Sequence, residues 1–197
     1  ERAARRHLDL PLEIARTARL TIREFAAADP LEPESAWDGD GVFSDREKRE
    51  AYRRNQYRFF ECGLWALVHT ESGRLIGKAG ITGGELGYHI YPPFRRQGYA
   101  REACRAILQY AWEELNCPEI GLWVDSGNIP SQALARALGF SPDGRPGGAL
   151  RDGKPAAGPG IWFANPDGAR GNDRADTGRA YWRIRRPGGP AADGEEI

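Results

Sequence analysis

The chain has 197 residues, which is enough for one domain with a sizeable hydrophobic core. Its 28 basic and 28 acidic side chains balance, so there is no net basic field to attract nucleic acid or an anionic membrane. The apolar runs are too short to span a bilayer, and we find no secretory signal pattern. We therefore expect neither nucleic acid nor membrane among its partners.

The cysteines and histidines indicate a compartment and argue against a metal. Cys62, Cys104 and Cys117 are widely spaced and form no C-x-x-C pair. The three histidines are equally scattered. This pattern suits a reducing compartment and lacks the ligand spacing of a zinc site. We expect a cytoplasmic protein with no metal and no disulfide framework.

The early part of the chain predicts a strand and then a helix. Residues 19–25 alternate apolar and polar side chains, which is typical of a strand. After a loop rich in proline, glycine and acidic residues, Ser44 and Glu47 have the spacing of a capping box. A helix is therefore predicted over residues 44–61, with Gly63 as the residue that ends it.

Three more strands are predicted in the middle of the chain. Residues 64–70 and 74–81 are rich in apolar strand formers and flank a turn that contains glycine, as in a β-hairpin. Residues 85–91 alternate again. Pro92 and Pro93 then stop sheet pairing, because a proline nitrogen has no hydrogen to donate.

The segment after this strand has the outline of an anion-binding site. Arg95, Arg96 and Gly98 lie in a short loop that leads into a helix predicted over residues 100–115. Backbone N–H groups converge at such a loop, and the helix dipole favours negative charge there. The alternative is that Gly98 is only a turn residue and the arginines form a solvated face. Turn chemistry alone leaves both interpretations open.

The rest of the chain predicts one strand, one short helix and two late strands. Residues 119–125 are rich in strand formers. Asn128 is a suitable N-cap for a short helix that Gly139 ends. The late strands are predicted at residues 161–164 and 180–185.

The predicted elements follow the order β-α-β-β-β-α-β-α-β-β. Hairpins beside a β-α-β-α unit indicate an α/β fold with a mixed sheet and helices on both faces. We assign the basic, alanine-rich residues 1–16 to an N-terminal extension and residues 17–186 to a single domain. Residues 187–197 have the composition of a flexible tail.

Two motifs in this order resemble the GCN5-related N-acetyltransferase (GNAT) superfamily. The first is R-x-x-G-x-A at residues 95–100, after a strand, which matches the acetyl-CoA loop of that family. The second is N-x-x-S at residues 128–131 with L-G-F at residues 138–140, after the next strand. The G-Y-x-I strand at residues 87–90 and the G-Y-A-x-E-A helix start at residues 98–103 are similar to the branch that contains ribosomal-protein N-terminal acetyltransferases. That branch also contains many transferases that act on small amines.

The resemblance implies the fold of the family and its cosubstrate, acetyl-CoA. The fold would have about seven mostly antiparallel strands, helices on both faces, and a central pair of strands that splay apart. In the family the pantetheine arm lies between those strands, and a backbone N–H near Ile90 polarises the thioester carbonyl. The residues that the resemblance assigns to acetyl-CoA are Ile90, Arg95, Arg96, Gln97, Gly98, Tyr99, Ala100 and Asn128.

The chemistry implied by the resemblance is direct attack of an amine on the thioester. It needs a base for the amine proton and a proton source for the thiolate. Glu85 is the first choice for the base, because relatives often carry a catalytic glutamate on this strand. His89, on the same predicted face, is the second choice, and Asp125 is the third. Many relatives have a tyrosine acid where this chain has Ala135, so the acid is left to Ser131 or to water.

The acceptor is left open by the resemblance. We predict an N-acetyltransferase that acts on a primary amine, either a protein N-terminus or a small molecule, as a monomer or a homodimer. The alternative is a module that binds acyl-CoA without turnover. Side chains whose type and position suit an acceptor groove are Glu24, Tyr52, Tyr57, Trp65, Trp123 and Trp162.

Overall fold

The computed structural model describes residues 10–33, 41–58, 60–143 and 179–188. Its strands are β1 (Glu13–Arg16), β2 (Leu20–Arg23), β3 (Gly63–His69), β4 (Leu75–Thr82), β5 (Glu85–Ile90), β6 (Glu119–Asp125), β7 (Ser141–Pro142) and β8 (Arg179–Arg185). Its α-helices are α1 (Arg46–Tyr52), α2 (Tyr99–Glu113) and α3 (Ile129–Leu138). A π-helical turn, Arg53–Tyr57, continues α1, and a 3₁₀ turn, Pro92–Phe94, follows β5. The strand predicted at residues 161–164 lies outside the described residues.

Hydrogen bonds order the strands β1-β2-β3-β4-β5-β6-β8-β7. The pairs β1·β2, β2·β3, β3·β4, β6·β8 and β7·β8 are antiparallel, whereas β5 is parallel to β6, with Glu85 opposite Gly121. These findings confirm the predicted α/β class and the mostly antiparallel mixed sheet. The pattern missed β1 and β7, which are four and two residues long and therefore too short to show alternation. β1 comes from residues that we had assigned to the N-terminal extension.

The chain divides into two compact units. The first consists of Glu1–Thr82 and Leu86–Tyr110, and the second of Gly83–Glu85 and Ala111–Ile197. Glu85, the first residue of β5, therefore belongs to the second unit, while the rest of β5 belongs to the first.

The core of the first unit includes the packing of β3 against α2. Trp65 on β3 is 1% exposed and packs edge-to-face on Tyr110 of α2, with ring centroids 5.5 Å apart. Trp65 is therefore a core residue and does not line an acceptor surface. Other fully buried apolar side chains of this unit are Leu20, Ile22, Leu67, Ile76 and Ile107.

The prediction for the first helix was wrong at both ends. Its N-cap is Asp45, whose carboxylate accepts a hydrogen bond from the Lys48 N–H at 2.9 Å. The Ser44 hydroxyl donates instead to the Gly41 carbonyl. The α-helix ends at Tyr52 and continues as the π-helical turn, and Gly63 is the first residue of β3 rather than the end of the helix.

Two tyrosines at the ends of the π-helical turn bind the same residue of β3. Tyr52 and Tyr57 are five residues apart, which is the hydrogen-bond spacing of a π-helix. The Tyr52 hydroxyl accepts from the Leu64 N–H, and the Tyr57 hydroxyl donates to the Leu64 carbonyl. The two hydroxyls thus satisfy the N–H and C=O of Leu64, which lies on β3 beyond the last residue that pairs with β2. Burial raises the pKa of Tyr57 well above its usual value, so this side chain remains a neutral phenol.

Two buried cations hold the segment between β2 and α1. Arg49, 1% exposed, donates to the carbonyls of Ala27, Asp29 and Pro30 at 2.8 to 3.1 Å. Lys78 on β4 forms a buried ion pair with Glu32 at 3.0 Å. The sequence pattern did not predict either contact, because both cations lie in segments that read as solvated helix or ordinary strand.

The second unit is built on β6 and β8, which pair along their whole length. One face of this pair is apolar and buried, with Ile120, Leu122, Val124 and Trp182. The guanidinium of Arg136 on α3 stacks over the Trp182 ring at 5.1 Å. The predicted ends of α3 are confirmed, because Asn128 caps it and Gly139 follows it with a left-handed φ of 93°.

Candidate active site

The predicted anion-binding loop lies in the first unit, between β5 and α2. Arg96 and Gly98 have φ values of 60° and 83°, and the loop turns directly into α2 at Tyr99. Left-handed residues in such a loop are a common feature of backbone concavities that bind anions. The Gly98 carbonyl accepts from the Glu102 N–H at 3.1 Å, so Gly98 stands at the N-cap position of α2. The helix dipole therefore favours an anion at this loop.

Side chains brace the loop against the end of β5. The Arg95 Nε donates to the Ile90 carbonyl at 2.8 Å, and the Gln97 amide donates to the Pro93 carbonyl at 3.1 Å. Arg95, Arg96, Gln97 and Gly98 are exposed, whereas Tyr99 is buried. The loop therefore presents an accessible, positively charged backbone surface.

The N–H and C=O groups of Ile90 point away from β4. The next residue, Tyr91, donates its N–H to the Ile76 carbonyl of β4 at 2.9 Å. Successive N–H groups of a strand point to opposite edges, so the Ile90 N–H points to the other edge of β5. The bond from Arg95 to the Ile90 carbonyl lies at that same edge. The edge of β5 away from β4 thus carries the Ile90 N–H and C=O and leads into the loop of residues 95–98.

His89 lies one residue earlier, in the same unit. Its side chain is half-buried and its ring centroid is 6.1 Å from that of Tyr91.

Glu85 lies in the second unit, within a cluster of polar and aromatic side chains. The Trp123 Nε1 donates to the Glu85 carboxylate at 2.9 Å. The Trp123 ring packs on Tyr181 of β8, with centroids 4.9 Å apart. Gly121, the register partner of Glu85, leaves the space into which the Tyr181 hydroxyl fits. We call these four residues the Glu85 cluster.

Tyr181 is held neutral within this cluster. Burial raises its pKa to about 12, and the nearby carboxylates of Glu85, Glu119 and Asp143 act in the same direction, against Arg183. Tyr181 was not among the predicted site residues, and Trp123 was predicted only as an acceptor-groove residue. The signal that could have indicated the pair is alternation on two antiparallel strands, which places Trp123 opposite Tyr181.

Asn128 and Ser131 lie together at the start of α3. The Asn128 Oδ1 accepts from the Ser131 N–H at 3.1 Å, as an N-cap does. Asp125 is exposed and accepts from the Gly127 N–H, while Ala135 is fully buried. Gly121, opposite Glu85, precedes the end of β6 by four residues, or roughly 13 Å of strand. The structure thus groups Ser131 with Asn128 and does not place it beside Glu85.

The described residues contain no group of three or more His, Cys, Asp and Glu side chains that could hold a metal ion. None of their helices is long and apolar enough to cross a membrane.

Comparison with known proteins identifies the class to which this fold and loop belong. The sequence model of the family described as Acetyltransferase (GNAT) domain matches residues 19–141. The chain belongs to this family of acetyltransferases, as its two motifs predicted.

Individual relatives give the same result. The uncharacterized N-acetyltransferase YnaD of Bacillus subtilis is 28% identical over 142 residues, which cover 65% of this chain and 82% of YnaD. YdaF of the same organism, named as a candidate ribosomal N-acetyltransferase, is 35% identical over 61 residues, 31% of this chain and 33% of YdaF. A solved structure of a spermidine N-acetyltransferase SpeG chimera from Vibrio cholerae and hSSAT has a TM-score of 0.59 at 17% identity. The alignment covers 85% of this chain and 96% of the chimera. At 17% identity this similarity shows the fold alone.

Proposed function

We propose that this protein transfers the acetyl group of acetyl-CoA to a primary amine by direct attack of the amine on the thioester. The observation that carries the proposal is the edge of β5 away from β4, where the Ile90 N–H points, which continues into the loop of residues 95–98 at the start of α2. A thioester needs a hydrogen-bond donor at its carbonyl, and a nucleotide diphosphate needs an anion site. One short segment offers both.

The donors of this segment fit acetyl-CoA. The exposed loop at Arg96 and Gly98 would hold the diphosphate through backbone N–H groups, with added positive charge from the two arginines. The Ile90 N–H would polarise the thioester carbonyl. Asn128, in the second unit, is the remaining residue that the family resemblance assigns to acetyl-CoA, and its side-chain oxygen caps α3.

Glu85 is our first choice for the general base. A base must be oriented towards the proton that it accepts, and the hydrogen bond from Trp123 holds the Glu85 carboxylate in one orientation. The neutral Tyr181 adds no competing charge at physiological pH. His89 remains the second choice. The thiolate would take its proton from water or from Ser131, since Ala135 has no proton to give.

The acceptor is a primary amine, either a protein N-terminus or a small molecule. Similarity to YdaF supports the first of these, and the fold shared with a spermidine acetyltransferase leaves room for the second. We place the protein in the cytoplasm, because all three cysteines are free thiols, as suits a reducing compartment. Its working partners would be acetyl-CoA and the amine, as a monomer or a homodimer.

Thiol release from acetyl-CoA tests the proposal. The full chain should release CoA thiol only when an amine is present, in a panel of N-terminal peptides, polyamines and small aryl and alkyl amines. Binding of acetyl-CoA with no amine-dependent release across the panel would instead favour the module that binds acyl-CoA without turnover. Failure to bind acetyl-CoA at all would refute both.

The variant Glu85→Gln tests the base. It keeps an oxygen that can accept from Trp123, so the local structure is conserved, but it has no carboxylate to accept the amine proton. We expect kcat to fall about 10²- to 10⁴-fold with acetyl-CoA affinity retained. His89→Gln is the matched variant, and a large loss there with little effect of Glu85→Gln would move the base to His89.

A further inference from the structure

A second segment of the first unit, between β1 and β2, contacts the anion loop. Thr17 and Arg19 of this segment both bind the carboxylate of Glu102, which lies in the first turn of α2. The Thr17 hydroxyl donates to Glu102 at 2.6 Å, and the Arg19 N–H donates to the same oxygen at 2.9 Å. The Arg19 guanidinium binds the other oxygen through Nε and Nη2, each at 2.7 Å. These contacts span 83 to 85 residues of sequence.

The same guanidinium also binds the backbone of the loop. Its Nη1 donates to the Gln97 carbonyl at 3.0 Å, and its Cζ lies 4.4 Å from the centre of the Tyr99 ring. A β-carbon added at Gly98 would lie 3.4 Å from Nη2, so the guanidinium lies directly beside this residue. Arg19 therefore contacts Gln97 and Tyr99 and lies beside Gly98, the residue between them.

The hydrogen bond from Arg19 to the Gln97 carbonyl fixes the direction in which the Gly98 N–H points. The peptide between Gln97 and Gly98 is planar and trans, like every described peptide bond of the chain, so its C=O and N–H point in opposite directions. Since the carbonyl points to Arg19, the Gly98 N–H points away from Arg19. Rotation of this peptide would remove the N–H from the anion-binding surface and replace it with a carbonyl oxygen.

The pairing also cancels an unfavourable charge. Burial alone would raise the pKa of Glu102, but hydrogen bonds from Thr17 and Arg19 outweigh it and hold the pKa below its usual value. Glu102 is therefore an anion one helical turn from Gly98, where it would repel a diphosphate. The guanidinium of Arg19 neutralises it in place.

We propose that Arg19 and Glu102 act as a clamp that orients the Gln97–Gly98 peptide for the diphosphate of the cosubstrate. Both are positioning residues, since they act through the loop. The inference rests on the proposed function for the identity of the ligand. It predicts that the clamp affects ligands that carry a diphosphate and leaves those without one unaffected.

The test compares two ligands in two variants of the full chain. Arg19→Gln removes the clamp, and Arg16→Gln removes an exposed ion pair with Glu13 on β1 and serves as the matched control. Titration calorimetry would measure Kd for acetyl-CoA, and kinetics would measure KM for acetyl-CoA and for acetyl-pantetheine, which has the thioester but no diphosphate.

We expect Arg19→Gln to raise Kd for acetyl-CoA about tenfold, the equivalent of one charge-assisted hydrogen bond. KM for acetyl-CoA should rise more than kcat falls, and KM for acetyl-pantetheine should not change. Arg16→Gln should stay within about twofold of wild type, because exposed pairs contribute little. Adding Glu102→Gln to Arg19→Gln should restore part of the affinity, because it removes the unneutralised carboxylate.

The outcomes separate this inference from the proposed function. Wild-type affinity for acetyl-CoA in a folded Arg19→Gln variant would overturn the clamp and leave the acetyltransferase proposal intact. An equal loss for both ligands would show a purely structural role and also overturn it. If Arg19→Gln does not fold, Arg19→Lys keeps the charge without the planar fork, and normal acetyl-CoA binding there would contradict the proposed geometry. No binding of acetyl-CoA by the wild-type chain would refute the proposed function itself.

Discussion

Gly121→Ala is the sharpest structural test of the Glu85 cluster. A β-carbon at this position would lie 2.0 Å from the Tyr181 hydroxyl oxygen and 2.5 Å from the ring carbon that bears it. Ordinary contact distances are roughly 3.5 Å, so the tip of the ring must retreat by about 1.5 Å. A tyrosine has two rotatable bonds, and this ring is packed on Trp123. A retreat of the ring would therefore disturb its packing on Trp123.

The expected cost follows from this overpacking. Inserting one methyl group into a filled site typically destabilises a protein by about 1–3 kcal/mol. Removing the obstructing ring should remove the cost, so Gly121→Ala should be much less harmful in a Tyr181→Ala background. Tyr181→Phe should relieve little, because two ring carbons would still lie within 2.8 Å of the new β-carbon.

Urea unfolding of the four proteins in the cycle measures this coupling. We expect the midpoint to fall in Gly121→Ala at an unchanged m-value, with a coupling energy of about 1–3 kcal/mol to Tyr181. Because Trp123 orients Glu85, kcat should also fall in Gly121→Ala while acetyl-CoA affinity is retained. A Gly121→Ala protein as stable as wild type, or equally destabilised with and without the Tyr181 ring, would refute the reasoning.

Three further predictions concern the first unit. Gly98→Asp should abolish acetyl-CoA binding, measured by calorimetry, because it adds negative charge at the anion loop and forces a side chain onto a residue with a φ of 83°. Normal affinity would show that the loop is not part of the acetyl-CoA site. Lys78→Met should lower the free energy of unfolding, measured in urea, by about 3–5 kcal/mol, because it leaves the carboxylate of Glu32 buried without its cation. The double variant with Glu32→Gln should recover much of this stability. If it recovers none, the loss comes from changed packing and not from the unpaired charge. The folded pKa of Glu102 is lowered, so its stabilising contribution is present above its unfolded pKa and is lost as pH falls through the folded value. The stability difference between wild type and Glu102→Gln should therefore shrink on acidification below pH of about 4, and a difference that is constant with pH would contradict this linkage.

Local signals were sufficient wherever a few neighbouring residues decide the conformation. The Asn128 cap and the left-handed Gly139 bound α3 as predicted, because both act within one turn of the helix. The alternating strands and the hairpin between β3 and β4 were also predicted correctly. The first helix shows the limit of such signals, since Ser44 and Asp45 are both good caps and the chain uses the second. Its π-helical end carries two tyrosines that bind Leu64, a residue of another element, and no local pattern predicts that contact.

The sequence by itself determined the order of the longer elements, the family, and the place of the glycine-containing loop between β5 and α2, because glycine, proline and capping residues act on their own neighbourhood. Only the tertiary structure decided which side chains support that loop and the candidate base. Trp123 meets Glu85 because β5 and β6, which are distant in sequence, come into a particular register, and Arg19 meets Glu102 because the segment between β1 and β2 packs against the first turn of α2. No local pattern encodes register between distant strands, since it depends on how whole faces pack.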